Sequence, residues 1–136
     1  IPIIDVTESA EGSNLRQDLQ TSLSHSSVTT FSVTNATTTL INNTGYYRVF
    51  GVSNVVMGGV ARTTSFILND GATDKVIWTS SSVVTSSNNT LTNENFDFVV
   101  FLSAGDTFSA TSSSTSTIIT GCTRQIADID GNLVDP

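Results

Sequence analysis

The segment RTTSFILNDGATDKVIWTS, residues 62–80, decides the fold because two strand-like runs flank a turn signal. Thr, Ile, Val, Phe and Trp recur in both runs, and such residues pack well on a pleated, half-buried surface. Asp70-Gly71 lies between the runs, and this dipeptide favours the tight turns of β-hairpins. The segment therefore predicts two antiparallel strands at 62–69 and 74–80.

Similar runs continue in both directions from this hairpin. In the run at 28–35, Phe31 and Val33 share one face, while the alternate positions are mostly hydroxyl-bearing. In the run at 46–57, Gly51 predicts a bulge or a close approach of another backbone. FDFVVFL at 96–102 is apolar on both faces, which predicts a central strand covered on both sides. Further strands are predicted at 37–42, 83–85, 107–111, 115–121, 122–129 and 132–134.

The spacing of these strands defines the fold class. Nine or ten short strands that recur about every 8–12 residues are typical of an all-β sandwich or barrel. Strands do not alternate with helices, which disfavours a parallel α/β sheet. The sequence therefore predicts an all-β fold of jelly-roll or β-sandwich type, with the β domain at 26–136.

Residues 1–25 differ from the rest and predict an N-terminal arm followed by one short helix. Leu15, Leu19 and Leu23 fall on one helical face. A helix of about ten residues does not persist alone in water, so this leucine stripe must dock on something. Its own domain core and a neighbouring subunit are both open as partners.

Composition narrows the class of function. Ser and Thr make up 42 of the 136 residues, charged residues make up only 12%, and the net charge is −7. The five cationic residues are scattered singly, whereas surfaces that bind nucleic acid or anionic membranes cluster them. We therefore expect neither a nucleic-acid partner nor a membrane partner. The sequence contains no apolar run long enough to span a bilayer.

Candidate catalytic and metal-binding residues are few. His25 is the only histidine and Cys122 the only cysteine, too few for a hydrolase triad or a zinc site without chance proximity. Cys122 is expected to be a small buried apolar residue. The stretch 128–132, DIDGN, resembles the start of a calcium loop but lacks its spacing, so a hairpin is the favoured interpretation. No enzyme activity, metal or cofactor is predicted.

Four ordered stretches carry a family resemblance: TLINNTGYYRVFGVSNVV (39–56), NDGATDKVIW (69–78), FDFVVFLSAGDTFSA (96–110) and STIITGCTRQIADIDGNLVDP (116–136). Over about residues 28–136, the chain resembles small jelly-roll proteins of tailed-phage virions, cyanophage-like ones in particular. It is also similar to trimeric knobs of the complement and tumour-necrosis-factor type, in which an apolar strand meets a Leu-x-x-Gly-Asp turn. That turn corresponds here to residues 102–106.

The resemblance implies a homotrimeric virion component without a cofactor. The leading hypothesis is a capsid decoration (cement) protein on the outer surface of the phage head, bound to the major capsid protein or other virion proteins. The alternative is a head or tail fibre knob or a receptor-binding module. The N-terminal arm favours the cement role because it could reach neighbouring subunits. Candidate interface residues, for which burial in the domain core is equally open, are Leu15, Leu19, Leu23, Ile118 and Ile119.

Overall fold

The computed structural model describes residues 28–57, 61–82 and 90–134, and all regular structure in these ranges is β-strand. The predicted arm, the leucine helix and the strand predicted at 83–85 lie outside the described residues. The eight strands are β1 (Thr29–Thr34), β2 (Thr37–Ile41), β3 (Gly45–Met57), β4 (Thr63–Asn69), β5 (Asp74–Ser81), β6 (Thr90–Leu102), β7 (Thr107–Ser112) and β8 (Thr117–Ala127).

The strands form two antiparallel sheets of four. The first sheet has the order β1-β8-β3-β6, and the second has the order β2-β7-β4-β5. First pairs with last, second with seventh, third with sixth and fourth with fifth, as in a long hairpin that has been rolled up. The all-β sandwich predicted from the strand spacing is confirmed.

The hairpin predicted within residues 62–80 forms as expected. β4 and β5 pair from Thr63–Ser81 to Asn69–Asp74. The Asp70 carboxylate accepts hydrogen bonds from the backbone N–H groups of Ala72 and Thr73, at 3.0 and 2.8 Å. Gly71 takes a φ of +97°, a backbone conformation that residues other than glycine rarely adopt. Turn chemistry in the sequence therefore sets the position of the turn and the register of the residues next to it, while the register shifts further along, between Ile67 and Phe66.

Strand boundaries differ from the prediction near the C-terminus. Two strands were predicted at 115–121 and 122–129, but β8 runs without a break from Thr117 to Ala127. The boundary predicted after residue 121 falls inside this strand, where Gly121 is the register partner of Gly51 of β3. The predicted strand 132–134 is reduced to one bridge between Leu133 and Ala127.

Gly51 fulfils the expectation of a close approach. A Cβ atom built on Gly51 would lie 2.1 Å from the carbonyl oxygen of Thr120 and 2.5 Å from the Cα of Gly121. These distances are far inside van der Waals contact. The two glycines therefore allow the backbones of β3 and β8 to lie unusually close at the middle of the first sheet.

The core between the sheets is centred on Phe66 of β4, which is fully buried. Its ring packs on Phe96 at 4.8 Å, on Phe108 at 5.2 Å and on Phe98 at 5.4 Å, measured between ring centroids. Trp78 of β5 closes the cluster at 5.7 Å from Phe66. Aromatic pairs at such distances add about 0.5–1.5 kcal/mol each beyond the burial of their area.

The prediction that 96–102 forms a central strand is wrong. β6 is the outermost strand of the first sheet among the described residues, paired only with β3 there. Phe96, Val100 and Leu102 point into the core as expected, but Val99 and Phe101 are exposed on the outer face. An apolar pattern on both faces of a strand therefore does not show that the same chain covers both faces.

Candidate assembly interface

The described residues contain no group of three or more His, Cys, Asp or Glu side chains that could hold a metal ion. His25 lies outside the described ranges. Cys122 is a free thiol that is half-buried, and the expectation of full burial is therefore wrong. It stands beside Phe50 in the register of β3 and β8, and the alternation along β8 directs it to the outer face of the first sheet.

The loop at 128–132 is a hairpin turn, as the favoured interpretation held. The Asp128 carboxylate accepts hydrogen bonds from the backbone N–H groups of Asp130 and Asn132, both at 2.9 Å. These bonds, that from Asn132 foremost, lower the pKa of Asp128. Its oxygens therefore stabilise the turn itself.

Charge on the outer face of the first sheet is organised around Arg48. Its guanidinium donates two hydrogen bonds to the Asp97 carboxylate, at 2.9 and 2.7 Å. It also lies 4.5 Å from the centre of the Phe50 ring. The hydrogen bond from Arg48 lowers the pKa of Asp97 and raises the pKa of Arg48 itself. The planar, bidentate pair fixes the Arg48 side chain flat against its apolar neighbours.

The sequence-predicted interface residues separate in the structure. Ile118 lies half-buried on the outer face of the first sheet, whereas Ile119 is fully buried in the core. Alternation along β8 sends these two neighbours to opposite faces. Leu15, Leu19 and Leu23 lie outside the described residues, so their role remains a prediction.

Four exposed apolar side chains lie on β5 and β6, the outermost strands of their sheets on one side of the sandwich among the described residues, a side that we call the β5–β6 edge. Val76 and Ile77 of β5 are 59% and 43% exposed, and Val99 and Phe101 of β6 are 57% and 40% exposed. The two strands share one side of the sandwich, where Trp78 of β5 packs on Phe96 of β6 at 5.4 Å. Val99 and Phe101 face outward from the first sheet, and Val76, the register partner of Ile67, faces outward from the second, so exposed apolar side chains flank this side of the sandwich on both faces. Exposed apolar side chains that lie near one another mark a site of contact more often than singly scattered ones.

The opposite side of the sandwich, which we call the β1–β2 edge, differs in its shape and in its charge. A groove of about 300 Å³ opens between these strands, with Phe31 and Leu40 half-buried among threonines. Residues 28–47 contain no Asp, Glu, Lys, Arg or His. Natural outermost strands usually carry charges or proline that prevent pairing with another chain. Residues 28–47, which include both strands of the β1–β2 edge, contain neither such charges nor proline.

Sequence reasoning missed the β5–β6 edge. The signal was present in Val76-Ile77-Trp78, three consecutive large apolar residues that place apolar side chains on both faces of one strand. The same signal in 96–102 predicted a strand buried on both faces within the domain.

In the described part of the chain, no helix is long and apolar enough to cross a membrane.

Comparison with known proteins indicates one class of protein. No protein-family model matches the chain. No curated protein matches it. Among solved structures, two of a pentameric capsid protein isolated from metagenomic phage sequences match with a TM-score of 0.76 and 35% sequence identity. Both matches cover 100% of this chain. They cover 82% of the chain in the first solved structure and 85% of the chain in the second.

A two-sheet sandwich with apolar exposed strands, and similarity to capsid proteins over its whole length, define a structural protein of a phage virion. The chain belongs to the family of phage capsid proteins that these two structures represent. The solved structures that it resembles are those of structural proteins.

The expectation of a homotrimer is wrong. The solved capsid proteins that this chain resembles are pentameric. The trimer was inferred from a likeness to trimeric knobs, which rested on the short turn at 102–106. In the structure that turn is a local device, since the Asp106 carboxylate accepts hydrogen bonds from the N–H and the hydroxyl of Ser103, both at 2.9 Å. A turn of this kind specifies a reversal of the chain and carries no information on subunit number.

Proposed function

We propose that this chain is a capsid protein that assembles as a homopentamer on the outer surface of a phage head, where it acts as a decoration (cement) protein. One observation carries the proposal: 35% identity over the whole chain to a pentameric phage capsid protein. Homo-oligomers usually have closed symmetry, and a closed fivefold ring matches the fivefold vertices of an icosahedral shell.

The form of sandwich that we propose is a jelly roll. It is supported by the strand pairs β1–β8, β2–β7, β3–β6 and β4–β5, which divide into two four-stranded sheets. A jelly roll presents broad sheet faces and short loops, which suits a subunit whose role is packing against neighbours.

A ring of five also gives weak contacts a strong combined effect. Each copy needs only modest affinity for the shell, because linked copies bind with a high effective concentration once the first has bound. The surface of few charges and many hydroxyls suits such broad, shallow contacts. The partner that we propose is the major capsid protein or another virion protein.

The first test is the mass of the purified full chain by light scattering coupled to size-exclusion chromatography. We expect five times the 14.3 kDa of one chain. A mass equal to one chain at all concentrations, from the micromolar range upward, would contradict self-assembly of the pentamer.

The second test concerns the cement role and residues 1–25. The chain without these residues should fold, as judged by circular dichroism, but should fail to co-sediment with heads of the phage that encodes it, whereas the full chain should co-sediment. Full attachment of the truncated chain would contradict a role for the arm. If the full chain bound host cells and not heads, the fibre-knob or receptor-binding function would replace the cement function.

A further inference from the structure

We infer that the subunits of the ring meet side to side, with the β5–β6 edge of one copy against the β1–β2 edge of the next. The inference rests on the proposed pentamer and adds which surfaces form it. A ring of identical subunits requires head-to-tail contacts, in which each copy uses two different surfaces. The two surfaces lie on different sides of the subunit and are related to their partners by the rotation that closes the ring.

The sandwich offers two such sides. β6 and β5 are the outermost strands of their sheets on one side, and β1 and β2 are outermost on the other, among the described residues. In the second sheet a single row of register partners joins the two sides, from Thr39 through Ser109 and Ile67 to Val76. Thr39 and Val76 are both exposed.

The chemistry of the two sides is complementary. The β5–β6 edge is flanked by Val76 and Ile77 on β5 and by Val99 and Phe101 on the outer face of β6. A neighbouring chain that packs around this edge removes these side chains from water, which is favourable. The β1–β2 edge presents a groove floored by Phe31 and Leu40 and rimmed by threonines, whose methyl groups accept apolar neighbours. Among the described residues, the outermost strands carry backbone groups that no further strand pairs with, and these add hydrogen-bonding capacity on either side.

Charge also favours this pair of surfaces. Five copies of a chain with a net charge of −7 repel one another unless their acidic residues stay apart or are neutralised. Residues 28–47 bring no charge to the contact. On the other side, Asp97 is paired with Arg48 at 2.7 Å, and Lys75 lies 3.9 Å from Asp70. Contact between the two edges therefore opposes no cluster of like charges.

Cysteine cross-linking tests the arrangement directly. In a Cys122→Ser background, Val76→Cys and Thr39→Cys are introduced together, and the protein is treated with a short bismaleimide at low concentration. A head-to-tail ring should give a ladder of covalent products up to five chains. Either single cysteine variant can link at most two chains. Val76→Cys combined with Thr115→Cys is the matched control, because Thr115 is exposed in the β7–β8 turn at one end of the sandwich.

Added charge gives a second readout. Val76→Glu or Thr39→Glu should each abolish the pentamer in light scattering while the melting temperature of the domain stays within a few degrees. Thr115→Glu adds the same charge at the turn and should leave the pentamer intact.

The outcomes separate the two proposals. If the wild-type chain is a pentamer but the double cysteine variant gives no ladder beyond two chains, the side-to-side interface is wrong and the pentamer stands. A pentamer that survives both glutamate variants would overturn the interface in the same way. If the wild-type chain is not a pentamer, the proposed assembly fails, and this interface fails with it.

Discussion

Buried hydroxyl groups in the sandwich differ in whether they have a hydrogen-bond partner. Ser53 of the first sheet and Thr64 of the second lie 2.6 Å apart, oxygen to oxygen, and are both fully buried. Thr117 is equally buried, but its hydroxyl has no partner among the described residues. A buried hydroxyl without a hydrogen bond costs about 1–3 kcal/mol, whereas a satisfied one is favourable by about 1 kcal/mol.

Replacement of Thr117 by Val should therefore stabilise the domain. Val keeps the branched shape and removes the unpartnered oxygen, so we expect the free energy of unfolding to rise by about 1 kcal/mol. Urea denaturation followed by tryptophan fluorescence measures this change. Ser53→Ala is the matched control and should lower the free energy of unfolding by about 1–3 kcal/mol, because it leaves the Thr64 hydroxyl without its partner. A loss of stability in Thr117→Val would contradict the assignment.

At the scale of the strands, the first sheet depends on the glycine pair between β3 and β8. Gly51 and Gly121 are register partners, and a side chain on either would enter the backbone of the other strand. A Cβ on Gly121 would lie 2.2 Å from the carbonyl oxygen of Phe50. Backbone atoms cannot move aside as the end of a flexible side chain can, so these positions require glycine.

Gly51→Ala should separate β3 from β8 and lower the free energy of unfolding by about 3 kcal/mol or more, at the upper end of overpacking costs. Gly105→Ala is the control. A methyl group there would meet no atom within 4 Å, but φ is +87°. We expect that control to cost only about 1–2 kcal/mol, the price of a left-handed conformation. Equal losses in chemical denaturation would show that steric crowding at Gly51 has been overestimated.

The apolar pattern of β6 left its position within the sheet undetermined. The residues of 96–102 alternate so that both faces are apolar, and the sequence predicted correctly that Phe96, Val100 and Leu102 face the core. The pattern could not show whether β6 would be central or outermost, because position in a sheet depends on which other strands pair with it. The exposed side chains Val99 and Phe101 are consequently free to contact another chain.

At the scale of the whole molecule, carboxylates stabilise the turns and the outer face. The pKa of Asp70 is lowered, chiefly by hydrogen bonds from the backbone N–H groups of Thr73 and Ala72. The pKa values of Asp97 and Asp128 are lowered as well, by Arg48 and by the backbone N–H of Asn132 respectively. Each carboxylate lies at a different place in the sandwich, so acid should weaken several local structures together.

A lowered pKa in the folded state means that the stabilisation is present above the unfolded pKa, near 3.9 for Asp, and is lost as the pH falls through the folded pKa. We therefore expect a melting temperature that is nearly constant from about pH 7 to about pH 5 and falls below about pH 4. Thermal denaturation at low protein concentration measures this. Asp128→Asn should lose less stability between pH 7 and pH 3 than the wild type, and an unchanged loss would exclude Asp128 as a contributor.

The sequence by itself determined the local structure of this protein. Asp70-Gly71 specified the β4–β5 turn, alternation along 28–35 placed Phe31 and Val33 inward, and Gly51 marked a close approach of two backbones. These features depend on residues near one another in the chain or on the period of two that every strand shares. The absence of clustered cations was equally visible in the sequence.

Only the tertiary structure decided the order of the strands, and with it which side chains meet water. It joined 115–121 and 122–129 into one strand, moved 96–102 to the side of its sheet and sent Ile118 and Ile119 to opposite faces. Subunit number was also beyond the sequence pattern, and the inferred trimer gave way to pentameric relatives. The physical reason is that pairing between distant strands, and contact between chains, depend on surfaces assembled from residues far apart in sequence.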